Sequence, residues 1–370
     1  MNYQLFRKVL FRMDPETAHN WTVRGLKWMQ SASLVQKTVS KPFSVQDPRL
    51  ASELWGISFP NPVGMAAGFD KNAHVYPALA ALGFGFVEVG TLTPRPQSGN
   101  PRPRLFRLPE DEAVINRMGF NNHGVAAAKE SFERLGHPAI PVGINLGKNK
   151  DTPNEKAVED YTLGLKELYP YGDYFVINVS SPNTKGLRDL QHIEALQSLL
   201  TAMMNQRTES EEIHQKRKPV LLKIAPDLEI EALKEIVSTA VSLRIDGIIA
   251  TNTTLSRQGL TAPAQNENGG LSGKPLREKS NEMIRHIYSV TQGSIPIIGS
   301  GGIFTGQHVI EKLKAGANLV QIYTGMIYEG PGIVKKINQE LLAQMEKEQI
   351  SHFTEWIGQD LHETKRRVPL

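Results

Sequence analysis

The amino-acid sequence predicts an α/β protein, a (β/α)8 TIM barrel with an N-terminal extension of two helices. Eight short apolar runs recur between residues 62 and 323, separated by helical segments, and this alternation indicates a parallel sheet covered by helices. In two places a helix ends at a glycine and the next strand ends in a threonine, at Gly83 with Thr91 and at Gly316 with Thr324. A doubly wound open sheet is the alternative, which the absence of a G-x-G-x-x-G motif after the first strand disfavours.

The N-terminal segment is the basic part of the chain. Residues 1–41 contain seven lysine and arginine side chains but only two acidic ones, whereas residues 42–370 sum to −1. Apolar side chains recur at helical spacing over Leu5–Met13, and Asp14–Glu16 is typical of the start of a second helix. Basic residues flank both helices, so we expect this extension to associate with a membrane surface. A helical pair packed on its own domain is the alternative.

The barrel is predicted to occupy residues 42–340, with a short hairpin before residue 62 covering one end. Residues 341–370 are predicted to be a polar helical tail without chemistry. The eight apolar runs give the predicted strands Val63–Ala66, Phe86–Val89, Val142–Leu146, Tyr174–Val179, Val220–Ile224, Asp246–Ala250, Pro296–Gly299 and Leu319–Tyr323.

Three long loops follow the second, fourth and sixth strands, at residues 92–122, 180–192 and 252–275. Residues 104–108 and 114–117 predict a hairpin within the first loop. Barrel enzymes build their active sites from the loops at the C-terminal ends of the strands. We therefore expect the functional site at this end of the barrel.

The composition excludes several classes of chemistry. The chain has no cysteine, which excludes disulfides, thiol nucleophiles and cysteine-ligated metal or iron–sulfur centres. Its ten histidines show no H-x-x-x-H or H-E-x-x-H spacing, so we expect no catalytic metal. No segment approaches the length of a membrane-spanning helix, and no apolar secretory signal is present. The net charge of +4 lies mainly in the extension, which argues against a nucleic-acid partner.

Two features at the predicted strand ends suggest ligand contacts. Gly299–Gly302 and Tyr323–Gly325 follow the seventh and eighth strands, where barrels commonly bind a phosphate group. Amide side chains offer two donors and an acceptor each, so several of them on one rim can recognise a planar ring such as a flavin or a pyrimidine. The amide and hydroxyl side chains at strand ends are Thr91, Asn145, Asn178, Thr251, Asn252 and Thr253.

Two lysines and one serine-containing turn are further candidates. Lys71 follows the first strand, and Lys223 interrupts an otherwise apolar strand, although lysine is rarely buried without a partner. Each could be a salt-bridged structural residue, could form a Schiff base or could stabilise an electron-rich ligand. The turn at Asn178–Thr184 places Ser181 beside the asparagines, but no histidine or acid is near enough in sequence to form a triad.

Together these motifs resemble dihydroorotate dehydrogenase, in order and over residues 1–340. The quinone-dependent, membrane-associated class is implied by the basic leader and by Ser181, which stands where the soluble class has cysteine. The matching segments are Ala66–Lys71, Gly90–Gln97, Asn116–Asn122, Gly143–Asp151, Asn178–Leu187, Lys223–Asp227, Ala250–Thr254, Gly269–Gly273, Gly299–Ile303 and Gln321–Gly325.

The resemblance implies roles for individual residues. The implied FMN contacts are Ala67, Gly68, Lys71, Thr91, Asn145, Asn178, Lys223, Thr251, Gly273, Gly302, Tyr323 and Thr324. The implied contacts to the substrate are Lys71, Asn116, Arg117, Met118, Gly119, Phe120, Asn178, Asn183, Asn252 and Thr253.

A catalytic base and a quinone path are implied in the same way. Ser181 is the implied base, with Thr184 and Phe120 in the proton relay, and His19 and Arg107 match polar positions of the quinone tunnel. The expected reaction is the oxidation of dihydroorotate to orotate in pyrimidine biosynthesis, with FMN taking the hydride and a membrane quinone reoxidising it. No obligate protein partner is expected.

The expected location is the cytoplasmic face of a bacterial inner membrane, with peripheral attachment through residues 1–41. Two other functions stay open on the residues alone. One is a flavin-containing barrel that acts on a related pyrimidine with a soluble electron acceptor. The other is a non-redox barrel that uses Lys223 as a Schiff base.

Overall fold

A computed structural model describes residues 3–31 and 42–361 of the chain. Its strands are β1 (Ser52–Leu54), β2 (Ile57–Phe59), β3 (Val63–Met65), β4 (Phe86–Leu92), β5 (Leu105–Leu108), β6 (Ala113–Asn116), β7 (Val142–Leu146), β8 (Tyr174–Asn178), β9 (Val220–Ile224), β10 (Gly247–Ala250), β11 (Gly270–Gly273), β12 (Ile297–Ser300) and β13 (Leu319–Ile322).

The helices surround and precede these strands. They are α1 (Tyr3–Arg12), α2 (Pro15–Ser31), α3 (Tyr76–Ala81), α4 (Gly124–Leu135), α5 (Ala157–Leu168), α6 (Ile193–His214), α7 (Ile230–Ser242), α8 (Arg277–Thr291), α9 (Gly306–Ala315), α10 (Thr324–Glu329) and α11 (Ile333–Glu348). A 3-10 turn at Phe353–Trp356 follows α11.

The central feature is a closed barrel of eight parallel strands, in the order β3-β4-β7-β8-β9-β10-β12-β13. The barrel closes where Val320 of β13 pairs with Val63 of β3. The prediction of a (β/α)8 barrel is confirmed, and the open-sheet alternative is excluded. The strands lie at the predicted positions because their apolar runs are buried on both faces, as in β7, β8 and β9.

The β1–β2 hairpin covers the N-terminal end of the barrel, as the sequence predicts. Phe59 of β2 packs edge-on against Phe86, with ring centroids 5.4 Å apart. The indole N–H of Trp55 donates a 2.7 Å hydrogen bond to the carbonyl of Asp246. The opposite, C-terminal end of the strands therefore remains for a ligand site.

A three-stranded antiparallel sheet lies over that C-terminal end. Strands β5 and β6 form the hairpin that the sequence predicts in the first long loop. Strand β11, from the third long loop, then pairs with β6, and Gly270 lies opposite Asn116. The sequence does not predict this third strand, because its partner lies more than 150 residues away and the run Gly270–Gly273 has no strand-like alternation.

The two predicted helices of the extension are present as α1 and α2, packed against the mouth of the barrel. The Tyr3 hydroxyl donates to the carbonyl of Ile327 at 2.7 Å, and Arg7 donates to the carbonyl of Tyr328 at 3.0 Å. The side chains of Trp21 and Trp28 are 61% and 69% exposed, so the outer surface of the extension is partly apolar. The remaining residues of the predicted 1–41 segment, at 1–2 and 32–41, lie outside the described part of the chain.

The description of residues 341–370 as a separate polar tail needs correction. Helix α11 runs through residue 340 without a break, and Leu341 and Met345 are fully buried. Phe353 and Trp356 are also fully buried, so residues 341–361 contribute four buried side chains to the hydrophobic core of the barrel. The basic cluster at 365–367 lies outside the described residues.

None of the described helices is long and apolar enough to cross a membrane.

Candidate active site

A large cavity opens at the C-terminal end of the barrel strands, with about 1220 Å³ of empty space including its mouth. Residues from seven barrel strands or the loops after them line its walls, and the sheet formed by β5, β6 and β11 borders it. The predicted site residues on its lining are His19, Ala67, Gly68, Lys71, Thr91, Asn116, Met118, Gly119, Phe120, Asn178, Ser181, Asn183, Lys223, Thr251, Asn252, Thr253, Gly273, Gly302, Tyr323 and Thr324.

The predicted rim of amides and hydroxyls is a continuous hydrogen-bonded group. The Asn178 amide donates to Thr91 Oγ1 at 2.9 Å and to Asn145 Oδ1 at 3.0 Å, and the Thr91 hydroxyl donates to the same oxygen at 2.5 Å. The amide of Asn252 reaches Asn178 Oδ1 at 3.3 Å and Ser180 Oγ at 3.0 Å. These bonds fix the amide orientations, which a site that recognises a polar ring requires.

A buried carboxylate, that of Glu88, accepts hydrogen bonds from this group. The sequence does not predict it. Glu88 of β4 is fully buried, and it accepts hydrogen bonds from Asn145 at 2.7 Å and from Gln321 at 2.5 Å. Lys223 Nζ lies 3.3 Å from the same carboxylate. Lys223 is thus half of a buried ion pair, which is the salt-bridged arrangement that the sequence left open. The isolated Glu in the run 86–89 is the sequence signal that could have indicated this partner.

The segment Asn116–Phe120 forms one wall of the cavity. The Asn183 amide donates to Asn116 Oδ1 at 3.1 Å, which connects this segment to the loop after β8. Gly119 has φ of +72° and Phe120 has φ of +54°. The left-handed backbone conformation is unfavourable for phenylalanine, so hydrogen bonds from neighbouring residues must stabilise this turn. Two of them come from Gln97, whose amide donates to the carbonyls of Gly119 and Phe120 at 3.1 Å each.

Ser181 lies on the cavity lining and is 6% exposed. Its Oγ accepts a 3.3 Å hydrogen bond from the backbone N–H of Asn183. Three residues along, the Thr184 hydroxyl is buried with no hydrogen-bond partner among the described residues. A proton relay needs a second group that can accept and donate a proton, and the Thr184 hydroxyl, three residues along the chain, is of that type.

The glycine loop after β12 and the segment after β13 lie side by side on the cavity. Gly301 and Gly302 have φ of +123° and +72°, and a Cβ on Gly302 would come within 2.4 Å of Arg277. The Thr324 hydroxyl donates to Ser272 Oγ at 2.8 Å. Glycines here let the backbone approach an anion closely, as the sequence predicts for a phosphate group.

Two ionisable side chains contribute to the electrostatics of the cavity. Burial lowers the pKa of Lys71 to about 8, and the charge of Glu16 acts in the opposite direction. Burial also holds the pKa of His19 well below its usual value, with a further decrease from the Lys71 charge. His19 packs edge-on against Phe69, with ring centroids 5.2 Å apart. At neutral pH we therefore expect a cationic Lys71 beside a neutral His19.

Four predicted residues lie off the cavity lining. Asn145 lies behind Thr91 and Asn178, as described above, and Thr184 is buried beside Ser181 in sequence. Arg117 points away, donating to Glu267 at 2.7 Å. Arg107 donates to the carbonyl of Leu10 in α1 at 2.8 Å and to that of Met13 just after α1. In the structure Arg107 therefore anchors the end of the first helix of the extension.

No group of three or more histidine, cysteine or carboxylate side chains that could hold a metal ion occurs within residues 3–31 and 42–361.

Comparison with known proteins places the chain in one family. The family model described as "Dihydroorotate dehydrogenase" matches residues 49–345. A protein of Acidithiobacillus ferrooxidans named dihydroorotate dehydrogenase (quinone) is 51% identical over 347 residues, covering 92% of this chain and 94% of the relative. One of Christiangramia forsetii with the same name is 50% identical over 342 residues, covering 92% and 99%.

Solved structures agree with this assignment. The ligand-free DHODH of Eimeria tenella superposes with a TM-score of 0.84 at 40% identity, covering 94% of this chain and 99% of that one. The complex of the Eimeria tenella enzyme with ferulenol gives the same TM-score at 39% identity, covering 94% and 96%. The chain therefore belongs to the dihydroorotate dehydrogenase family, in the branch whose curated members are named for quinone.

Proposed function

We propose that this protein oxidises (S)-dihydroorotate to orotate in pyrimidine biosynthesis and passes the electrons through FMN to a membrane quinone. One observation carries the proposal above all others. A single cavity is lined by the asparagine rim, Ser181 and the glycine loop, and His19 of the N-terminal extension lies at its edge. A substrate ring, a phosphate-bearing cofactor and an electron acceptor that approaches from the extension can all be accommodated there.

The residues present fit FMN. Thr251 and Gln321 line the cavity, and their atoms Oγ1 and Oε1 are buried without a hydrogen-bond partner among the described residues. A polar ligand could provide the missing hydrogen bonds. Lys223 supplies positive charge on the same wall, and the loop at Gly301–Gly302 is suited to a phosphate. When bound, FMN accepts the hydride of the substrate and transfers electrons to the quinone.

The chain's own residues bind and orient the substrate. Asn116, Asn183 and Asn252 offer amide donors and acceptors to the imide edge and carboxylate of the substrate. Lys71 supplies a positive charge beside them, which favours an anionic substrate. The fixed rotamers of these asparagines reduce the freedom that must be lost when the substrate reaches a reactive geometry.

Proton removal is assigned to Ser181. The reaction takes a proton from C5 of dihydroorotate and a hydride from C6, which leaves the C5–C6 double bond of orotate. The Ser181 hydroxyl accepts the C5 proton and passes its own proton towards Thr184, whose buried hydroxyl needs a partner. Phe120 also lies on the cavity lining, and its apolar ring would keep bulk water away from this step.

Quinone is proposed to approach through the N-terminal extension. His19 lies on the cavity lining, and Arg107 holds the end of α1 in place. The exposed Trp21 and Trp28 and the basic side chains of the extension suit a peripheral contact with anionic lipid. We place the protein on the cytoplasmic face of a bacterial inner membrane, where it would contact the quinone pool.

The test is an anaerobic titration of the purified protein. Dihydroorotate should bleach the flavin absorbance, and a quinone, but not fumarate, should restore it. Recovery with fumarate would favour a flavin barrel that uses a soluble acceptor. Flavin that dihydroorotate does not bleach would contradict the proposed substrate, and a protein without flavin would contradict the cofactor.

A further inference from the structure

A buried ion pair joins the N-terminal extension to the first long loop of the barrel. Glu16 of α2 and Arg104, just before β5, are each 6% exposed. The pair is bidentate, with Arg104 Nε donating to Glu16 Oε2 at 3.1 Å and Nη2 donating to Oε1 at 2.8 Å. Arg102 adds a bond of 2.9 Å to Glu16, but the Arg102 side chain is 65% exposed. The buried partner of Glu16 is therefore Arg104.

Arg104 also holds the backbone of the loop. Its Nη1 donates to the carbonyls of Ser98 at 2.6 Å and Asn100 at 2.8 Å. Gly99 between them has φ of +78°, and a Cβ there would lie 2.8 Å from the same nitrogen. Nε and Nη2 of the guanidinium thus bind the Glu16 carboxylate, while Nη1 binds the turn at 98–100. The planar guanidinium can do both because its donors point in fixed, different directions.

The same turn also contacts the cavity wall that Asn116 and Asn183 form, to which the substrate is assigned above. The Asn100 amide donates at 3.0 Å to the carbonyl of Arg117 and at 3.0 Å to that of Asn183. The backbone N–H of Asn100 donates at 3.0 Å to the carbonyl of Met118. Bonds therefore run from Glu16 through Arg104 and Asn100 to both segments that carry Asn116 and Asn183.

The charge of Glu16 also acts on Lys71, which lies on the cavity lining. Its carboxylate acts to raise the pKa of Lys71, against the lowering caused by burial. Loss of the carboxylate would leave Arg104 as a buried charge with no carboxylate from α2, and it would favour the neutral form of Lys71. Both effects act, directly or through Asn100, on residues that line the cavity and not on the surface of the extension.

We propose that Glu16, although it lies in the extension, is a positioning residue for dihydroorotate, acting through Arg104 and Asn100. The extension then has two functions, because one part of it shapes the substrate wall while the rest serves the membrane and the quinone. This inference rests on the proposed function, since it assigns the substrate to the wall that Asn116 and Asn183 form.

The test compares Glu16→Gln with Arg102→Gln as a matched control, because Arg102 bonds to the same carboxylate from the solvent side. In the full-length protein we expect Glu16→Gln to weaken orotate binding and to slow anaerobic flavin reduction by dihydroorotate by about 100-fold, the order of loss that follows small misplacement of a reactant. The kcat/KM for quinone, which depends only on reoxidation of the flavin, should stay within about twofold of the unmodified protein, a change of about 0.4 kcal/mol. Arg102→Gln should leave all three quantities near their starting values.

Glu16→Asp keeps the charge and should restore part of the reduction rate. If Glu16→Gln does not fold, Arg104→Lys provides the second variant. Lysine keeps the positive charge but cannot hydrogen-bond at once to the Glu16 carboxylate and to the carbonyls of Ser98 and Asn100. Folded Arg104→Lys protein should then show the slow reduction.

Normal orotate binding and reduction in folded Glu16→Gln or Arg104→Lys protein would overturn the inference. A slowed quinone step with normal reduction would also overturn it and would assign the pair to the quinone path. Failure of the proposed function is separate, because the unmodified protein would then not be bleached by dihydroorotate at all, and the inference would fall with it.

Discussion

The ion pair of Glu88 with Lys223 allows a prediction about the stability of the barrel interior. Lys223 Nζ lies 3.3 Å from a carboxylate that is fully buried and that also accepts from Asn145 and Gln321. Removal of one partner of a buried pair costs about 3–5 kcal/mol, because the remaining charge stays buried without compensation. Glu88→Gln keeps one acceptor oxygen, so we expect a loss near 3 kcal/mol in the free energy of unfolding.

The Lys223→Met variant should lose a similar amount, since it leaves the Glu88 carboxylate with only two neutral donors. The double variant should lose about 2–3 kcal/mol less than the sum of the two single losses, because neither charge is then left alone. The assay is urea unfolding followed by circular dichroism in flavin-free protein, so that cofactor binding does not contribute to the measured stability. Strictly additive losses would refute the reasoning and would mean that the two groups do not depend on each other.

Three further predictions concern the base, the substrate charge and the C-terminal segment. Ser181→Ala should keep its flavin but slow flavin reduction about 10²–10⁴-fold in stopped-flow measurements, and an unchanged rate would contradict its role as the base. Orotate affinity should fall by about tenfold per pH unit above pH 8, because Lys71 loses its charge as the pH rises through its pKa of about 8; calorimetry of Lys71→Met should show a flat profile. Trp356→Ala should cost about 3–5 kcal/mol of stability, since the ring is fully buried and its N–H donates to Glu348 at 2.8 Å; a loss under 1 kcal/mol by urea unfolding would restore the view of a detached tail.

The elements predicted well are those whose signal is local. Each barrel strand is a continuous apolar run such as Val220–Ile224, and a run buried on both faces needs no knowledge of its partners to be recognised. The glycine loop at 299–302 and the turn at 178–184 are likewise contiguous motifs, and they lie at the strand ends where their positions predict them.

The elements missed are those that depend on distant partners. Strand β11 exists because Gly270 meets Asn116 across 154 positions of sequence. The burial of Trp356 depends on packing that amino-acid polarity does not reveal, since residues 341–361 combine many charged side chains with a few large apolar ones. A polar composition therefore predicts an appendage, although four apolar side chains of the segment are buried in the core.

The barrel, the position of the site at the C-terminal ends of the strands and the family of the chain can all be predicted from the amino-acid sequence. The pairing of buried charges cannot, because Glu88 meets Lys223 across 135 residues and Glu16 meets Arg104 across 88. The difference lies in the range of the interactions. Apolar periodicity is set by neighbours along the chain, whereas a buried charge is stabilised only by the particular partner that folding brings to it.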